Sequence, residues 1–386
     1  MHFLMAQAMG PGSGEWFGRL RDHQRPGKNH EGVATDMVMV GDFGKDQDDE
    51  KALIMATVMR RIGLISEMTV VTNLGNNSLR ARLAKGTLNA LGAHDVRVAK
   101  GSDGGQANTE IHDYEFAQCP YLAPESELDV RGGHELIFAA LAEAKKANHQ
   151  LTFVLNSALT DMAMALRDPR WEQMAPGIVT HIVLMSGIVR SIDEDGKTRI
   201  SMDKTASNNN FDLLSAEFVY NRLEGDDRFE IIVVTRYAAS ACQLPRKAID
   251  GSSHPIANRL TAVEKPSLQK LWQRTHTSMT ERKAAKDPLP ARCDPAWFRK
   301  TYLMKDAPPL NAEDDVWQYI KGFNEYDGLT TVVAATATFP DLFYCFFKPY
   351  RDPVHLCACS SQQDGRYVQL CRIASYVLLP WCAFSR

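Results

Sequence analysis

Several things are missing from this chain of 386 residues. No apolar run reaches the ~18–20 residues of a membrane-spanning helix, so no membrane partner is expected. Neither sign of charge is in excess. Lys and Arg total 44 against 47 Asp and Glu, a net charge of −3, which gives no general attraction to nucleic acid. The first residues, MHFLMAQAMGPGSGEW, have neither the charged start nor the long apolar segment of a secretory signal, and a cytoplasmic address is expected. Of eight cysteines only Cys119, Cys242 and Cys293 precede residue 340, while Cys345, Cys357, Cys359, Cys371 and Cys382 crowd the end. No pair of Cys-x-x-Cys motifs gives zinc-site spacing, so reduced thiols are expected. The glycine-rich stretch Lys100-Gly101-Ser102-Asp103-Gly104-Gly105 lacks the Gly-Lys-Ser/Thr ending of a phosphate-binding loop.

What is present is an ordinary globular composition, 44% hydrophobic and 24% charged, in a chain long enough for a large core. Residues 1–35, rich in Gly, Pro, Arg and His, read as an extension outside the fold. From about 36 apolar strands alternate with amphipathic helices. The pattern predicts strands at 37–41, 68–72, 96–99, 151–155, 180–185 and 229–235. It predicts helices at 49–61, 78–92, 133–147, 159–167, 213–223 and 236–242. That alternation predicts an α/β fold with a mostly parallel central sheet flanked by helices. The domain spans 36–349, with 252–310 a helical insertion or cap, and 350–386 reads as an irregular Cys-rich tail.

The most informative stretch is 38–53, VMVGDFGKDQDDEKAL. Asp42, Asp46, Asp48 and Asp49 fall between an apolar strand end and a helical pattern (Ala52, Leu53, Met55, Ala56, Met59). They therefore sit at a strand-to-helix turn, the edge of an open α/β sheet where ligands bind. Like charges packed so closely need compensation, and clustered oxygens suit a hard divalent cation, Ca²⁺ or Mg²⁺. Polar residues follow other strands too: Thr72 to Asn77, Asn156 to Asp161, Met185-Ser186-Gly187 and Ser207 to Asp212. Tyr326-Asp327-Gly328 precedes an Ala-rich helix. Loops of this kind at successive strand ends build a pocket at the carboxyl edge.

In these segments the chain resembles the inosine–uridine-preferring nucleoside hydrolases, over about 36–345. The family's Asp-x-Asp-x-x-x-Asp-Asp loop is similar to 42–49, with Asp42 as the first Asp and Asp48-Asp49 as the final pair. Its Gly-Asn resembles Gly75-Asn76, its Leu-Thr-Asn resembles Leu159-Thr160-Asp161, and its Met-Gly-Gly resembles Met185-Ser186-Gly187. Its ribose segment resembles Asn208–Asn210, and its late His-Asp resembles Tyr326-Asp327. The resemblance implies a nucleoside hydrolase-like fold and Ca²⁺-dependent hydrolysis of the N-glycosidic bond of a ribonucleoside or related riboside, as in purine or pyrimidine salvage. It implies that Asp49, Asp327, the Thr160 carbonyl and one of Asp42 or Asp46 hold Ca²⁺. The remaining one of Asp42 and Asp46 is then the general base. Asp48, Asn76 and one of Asn208–Asn210 bind ribose hydroxyls, and Tyr326 lies near the departing base. The expected partner is a small-molecule nucleoside or ribosyl substrate, with a homo-oligomer left open.

The chain departs from that pattern at defined positions. The family's second Asp falls on Gly44, Asp46 stands where the family has Gly, Ala206 stands near its Glu, and Tyr326 replaces its His. These departures support an alternative, a nucleoside- or sugar-binding protein impaired in catalysis on the same fold.

Overall fold

The computed structural model describes residues 33–105, 115–192, 198–224, 226–250, 252–284, 289, 291–339 and 354–357. Its main sheet is built from strands β1 (Thr35–Gly41), β2 (Ile65–Thr72), β3 (Arg97–Lys100), β4 (Leu151–Leu155), β5 (Val179–Met185) and β8 (Glu230–Val234). The connecting helices are α1 (Gln47–Arg61), α2 (Asn77–Ala90), α3 (Gly132–Ala147), α4 (Thr160–Arg167), α5 (Arg170–Met174), α6 (Ser207–Asn210) and α7 (Leu213–Leu223). A hairpin, β6 (Ile188–Ile192) with β7 (Thr198–Met202), interrupts the alternation after β5. After β8 come α8 (Arg236–Ala241) and β9 (Gln243–Pro245), then the cap helices α9 (Pro255–Thr275), α10 (Met279–Ala284) and α11 (Pro295–Tyr302). Strand β10 (Gly322–Asn324) returns antiparallel to β9, and α12 (Asp327–Ala337) follows.

Period-2 patterning explains the two layers. In β1, Met37 and Met39 face a core formed with α1, α2, α12 and the cap helices, while Val38 and Val40 face a second core formed with α3, α4 and α7. All pairings in the main sheet are parallel. The strand order is β3-β2-β1-β4-β5-β8, with a last strand β11 (Val354–Cys357) added beside β8. The chain thus winds from β1 toward β3 and from β4 the other way. Between β1 and β4 lies the reversal, where an open α/β sheet leaves a crevice at its carboxyl edge.

The predicted α/β architecture is what forms, with element ends within a few residues of expectation. Three particulars differ. β1 begins at Thr35, inside the stretch read as extension, because Thr35 is buried and its hydroxyl meets Thr152 at 3.0 Å. The hairpin β6–β7 was not anticipated. Within the tail expected to be irregular, Val354–Cys357 pairs in register with Ile231–Val234. The rest of that tail, and residues 1–32, lie outside the described residues.

Candidate active site

The acidic loop starts where β1 ends. Asp42 follows Gly41, and its carbonyl accepts from Arg80 Nη1 at 2.9 Å and from the Lys45 amide at 2.9 Å. Burial pushes the Asp42 carboxyl up to about 6, against the pull of Arg80, the Ser157 hydroxyl and Lys45. Arg80, fully buried on α2, also donates from Nε to the Leu74 carbonyl at 2.7 Å and from Nη2 to Glu115 at 2.7 Å. One guanidinium therefore fastens the β1 loop, the β2 loop and the segment around Glu115 to each other.

Gly44 has φ +96°, and a Cβ there would lie 2.7 Å from Leu83 Cδ2 and 3.0 Å from the Glu115 carbonyl oxygen. At the position that the ungapped resemblance gives to a second Asp, a side chain is strained by the left-handed backbone and must push Leu83 aside. Gly44→Asp is expected to destabilise the protein by about 1–3 kcal/mol, from left-handed strain and overpacking. Denaturant unfolding checks this, and a variant as stable as the parent would contradict the geometry.

Two residues later Asp46 caps α1 in an extended conformation. Its side chain is open to solvent on one side while protein crowds it on the others. That crowding, with repulsion from Asp48 and Asp42, pushes its carboxyl up to about 7. Asp49 is buried; its Oδ2 accepts from the Asp46 amide at 3.3 Å, and its Oδ1 finds no donor among the described residues. Burial and repulsion from Asp42, Asp48 and Asp46 hold the Asp49 carboxyl well above its usual range. Asp327 opens α12, and burial with repulsion from Asp48, Asp49 and Asp42 does the same there. Burial raises Asp48 too, opposed by Lys51 and by the amides of Asp327 and Tyr326. One oxygen from each of Asp48, Asp49 and Asp327 lies within 4.8 Å of the other two.

The remaining residues expected at the site occupy varied surroundings. Asn76 is the N-cap of α2, its Oδ1 accepting from the Leu79 amide at 3.1 Å. Thr160 opens α4, and its hydroxyl donates to Asp212 at 2.7 Å. Asn208 donates to the carbonyls of Asn156 and Met185, at 3.0 and 2.8 Å, tying β4 to β5 at their carboxyl ends. Asn209 is buried against Gly187 and Asp203, whereas Asn210 is exposed. Tyr326, half-buried, precedes α12; burial raises its phenol, and Asp48 and Asp46 add to the rise.

Buried polar atoms reveal residues that sequence reasoning did not single out. Asn73 donates to the Ala158 carbonyl and to Asp161, yet its Oδ1 has no donor among the described residues. Asn156 donates to the Asp327 carbonyl at 3.4 Å, and its Oδ1 is likewise unpaired. Thr235 Oγ1 is buried with no partner among the described residues. Buried polar atoms are normally satisfied, and these cap β2, β4 and β8 on the carboxyl edge. A simple signal marks them: each is the first polar residue after an apolar strand core, apart from Thr72 ahead of Asn73.

No family model matches the chain, and no curated protein matches it. Solved structures do. The type III effector XopQ, complexed with adenosine diphosphate ribose, superposes with TM-score 0.70 at 24% identity, over 96% of this chain and 99% of that one. The effector XOO4466 gives 0.72 at 24%, with the same coverage. The plant nucleoside hydrolase PpNRh1 gives 0.52 at 14%, over 89% of this chain and 99% of the other. The chain has the nucleoside hydrolase-like α/β fold.

Proposed function

We propose that this protein hydrolyses the N-glycosidic bond of a ribonucleoside or related riboside, with Ca²⁺ bound at the carboxyl edge. The convergence of Asp48, Asp49 and Asp327 from two separate helix starts carries the reading. Three hard carboxylate oxygens, one of them on a residue with an unpaired buried Oδ1, fit Ca²⁺ by charge and donor type. The cation supplies a binding point for the ribose diol and lowers the pKa of a bound water.

The chain's own groups do the rest. Asn73 Oδ1 and Asn156 Oδ1, unpaired acceptors, take hydrogen bonds from ribose hydroxyls and orient the sugar. Asp42, braced by Arg80, keeps the loop in place. Asp46, open to solvent on one side and with its carboxyl raised toward neutrality, accepts a proton from water as its oxygen adds to the anomeric carbon. The carbon–nitrogen bond breaks through an oxocarbenium-like sugar, and the departing base nitrogen takes up a proton. Tyr326, kept protonated by burial beside Asp48, is the donor nearest that role.

A second reading rests on Gly44, where a carboxylate would be strained and crowded, and on the adenosine diphosphate ribose complex of XopQ. It makes the chain a riboside-binding protein without turnover. Reducing-sugar release across nucleosides and adenosine diphosphate ribose, with and without chelator, separates the two. Hydrolysis predicts release that chelator abolishes. Calorimetric binding of a riboside with no release in either condition overturns it in favour of the second reading.

A further inference from the structure

Glu50 and Lys51, next in sequence to the acidic pair, are opposite charges buried almost completely on α1. Both are engaged by one cap helix. Arg259 of α9 pairs with Glu50, which also accepts from Thr87 and Tyr121. Glu264 of α9 accepts from Lys51 Nζ at 2.8 Å. The same ammonium donates to Glu325 Oε1 at 3.1 Å and stands 4.7 Å from the centre of the Phe323 ring. Glu325 lies two residues before Asp327. Its other oxygen is buried where Gly328 leaves space, since a Cβ at Gly328 would come within 2.9 Å of it. One ammonium thus joins the helix carrying Asp48 and Asp49, the loop carrying Asp327, and the cap.

We propose that Lys51 is a positioning residue through which α9 sets the spacing of Asp48, Asp49 and Asp327; it acts through these groups and touches no ligand. The proposal rests on the cation reading given above. A buried ammonium near a cation site opposes the cation by simple Coulomb repulsion. If Lys51 acted only as a charge, its removal would therefore tighten cation binding. Positioning predicts the opposite sign.

Calorimetric titration of Ca²⁺ into the full-length wild type, K51M, E264Q and the double variant tests this, with thermal unfolding run alongside. K51M is expected to bind Ca²⁺ about tenfold or more weakly, the usual range for groups that hold metal ligands in place. E264Q should weaken binding in the same direction by a smaller factor. The double variant should match K51M, because both substitutions cut one link. Unchanged or tighter binding in K51M overturns the proposal. If K51M does not fold, E264Q decides, and wild-type affinity in it overturns the proposal. Absence of Ca²⁺ binding in the wild type instead removes the cation reading, and the proposal with it.

Discussion

Asp49→Ala is expected to abolish Ca²⁺ binding and any glycosidic activity while leaving the fold intact. Asp49 contributes one of three converging oxygens, and its Oδ1 has no donor among the described residues. Ligand charge tunes Ca²⁺ affinity over several decades, so a loss of about 100-fold or more is expected in titration calorimetry. The same substitution should stabilise the protein in chelator at neutral pH. Asp49 is held well above its ordinary range by burial and by repulsion from Asp42, Asp48 and Asp46. A carboxyl with a raised pKa in the folded state keeps its proton there after the unfolded chain has lost it. Stability therefore falls as pH rises above about 4, and goes on falling through the folded values. Asp42 at about 6 extends that fall toward neutrality. The difference in melting temperature between variant and wild type should grow in chelator as pH rises above about 4 toward the raised Asp49 range, and shrink on adding Ca²⁺. Equal Ca²⁺ binding by both proteins, or a pH-independent difference, would contradict this assignment.

Arg80→Ala is expected to have the largest effect on stability. Its guanidinium and Glu115 are both fully buried, with Nη2 to Oε2 at 2.7 Å. Removing one partner of a buried pair costs about 3–5 kcal/mol when no other charge compensates, and Lys45 Nζ, 3.9 Å from Glu115 Oε1, holds the cost toward the lower end. Here the Leu74 carbonyl also loses the Nε donor, and the Asp42 carbonyl is left with the Lys45 amide. For a domain of this size the melting temperature should drop by about 4–8 °C. The β1 and β2 loops would loosen together, so Ca²⁺ affinity should fall in parallel. A drop of less than about 1 °C in thermal unfolding would show that the network is dispensable.

Much of this site was legible because its signals are local. Met37 and Met39 alternate with Val38 and Val40, so β1 and its two buried faces can be read from four residues. The turn from β1 into α1 follows from the Asp-rich loop, and Tyr326-Asp327 before an Ala-rich run marks the start of α12. Asn76 shows the limit of such signals. Its sequence context suits a ribose contact and a helix cap equally, and its Oδ1 is used as the cap.

Composition and periodicity alone determined the α/β class, the order of its main elements and the loops that reach the carboxyl edge. Each of these depends on neighbours within a turn of helix or along one strand. Tertiary structure alone decided the rest. Gly44 reads as a missing carboxylate, and only the backbone conformation with the approach of Leu83 and the Glu115 carbonyl shows that one there would be strained and crowded. Glu50 and Lys51 look like the exposed polar start of a helix, yet their partners Arg259, Glu264 and Glu325 lie 209, 213 and 274 residues away. Burial of a charge is set by what packs over it, and no local pattern encodes a partner that far along the chain.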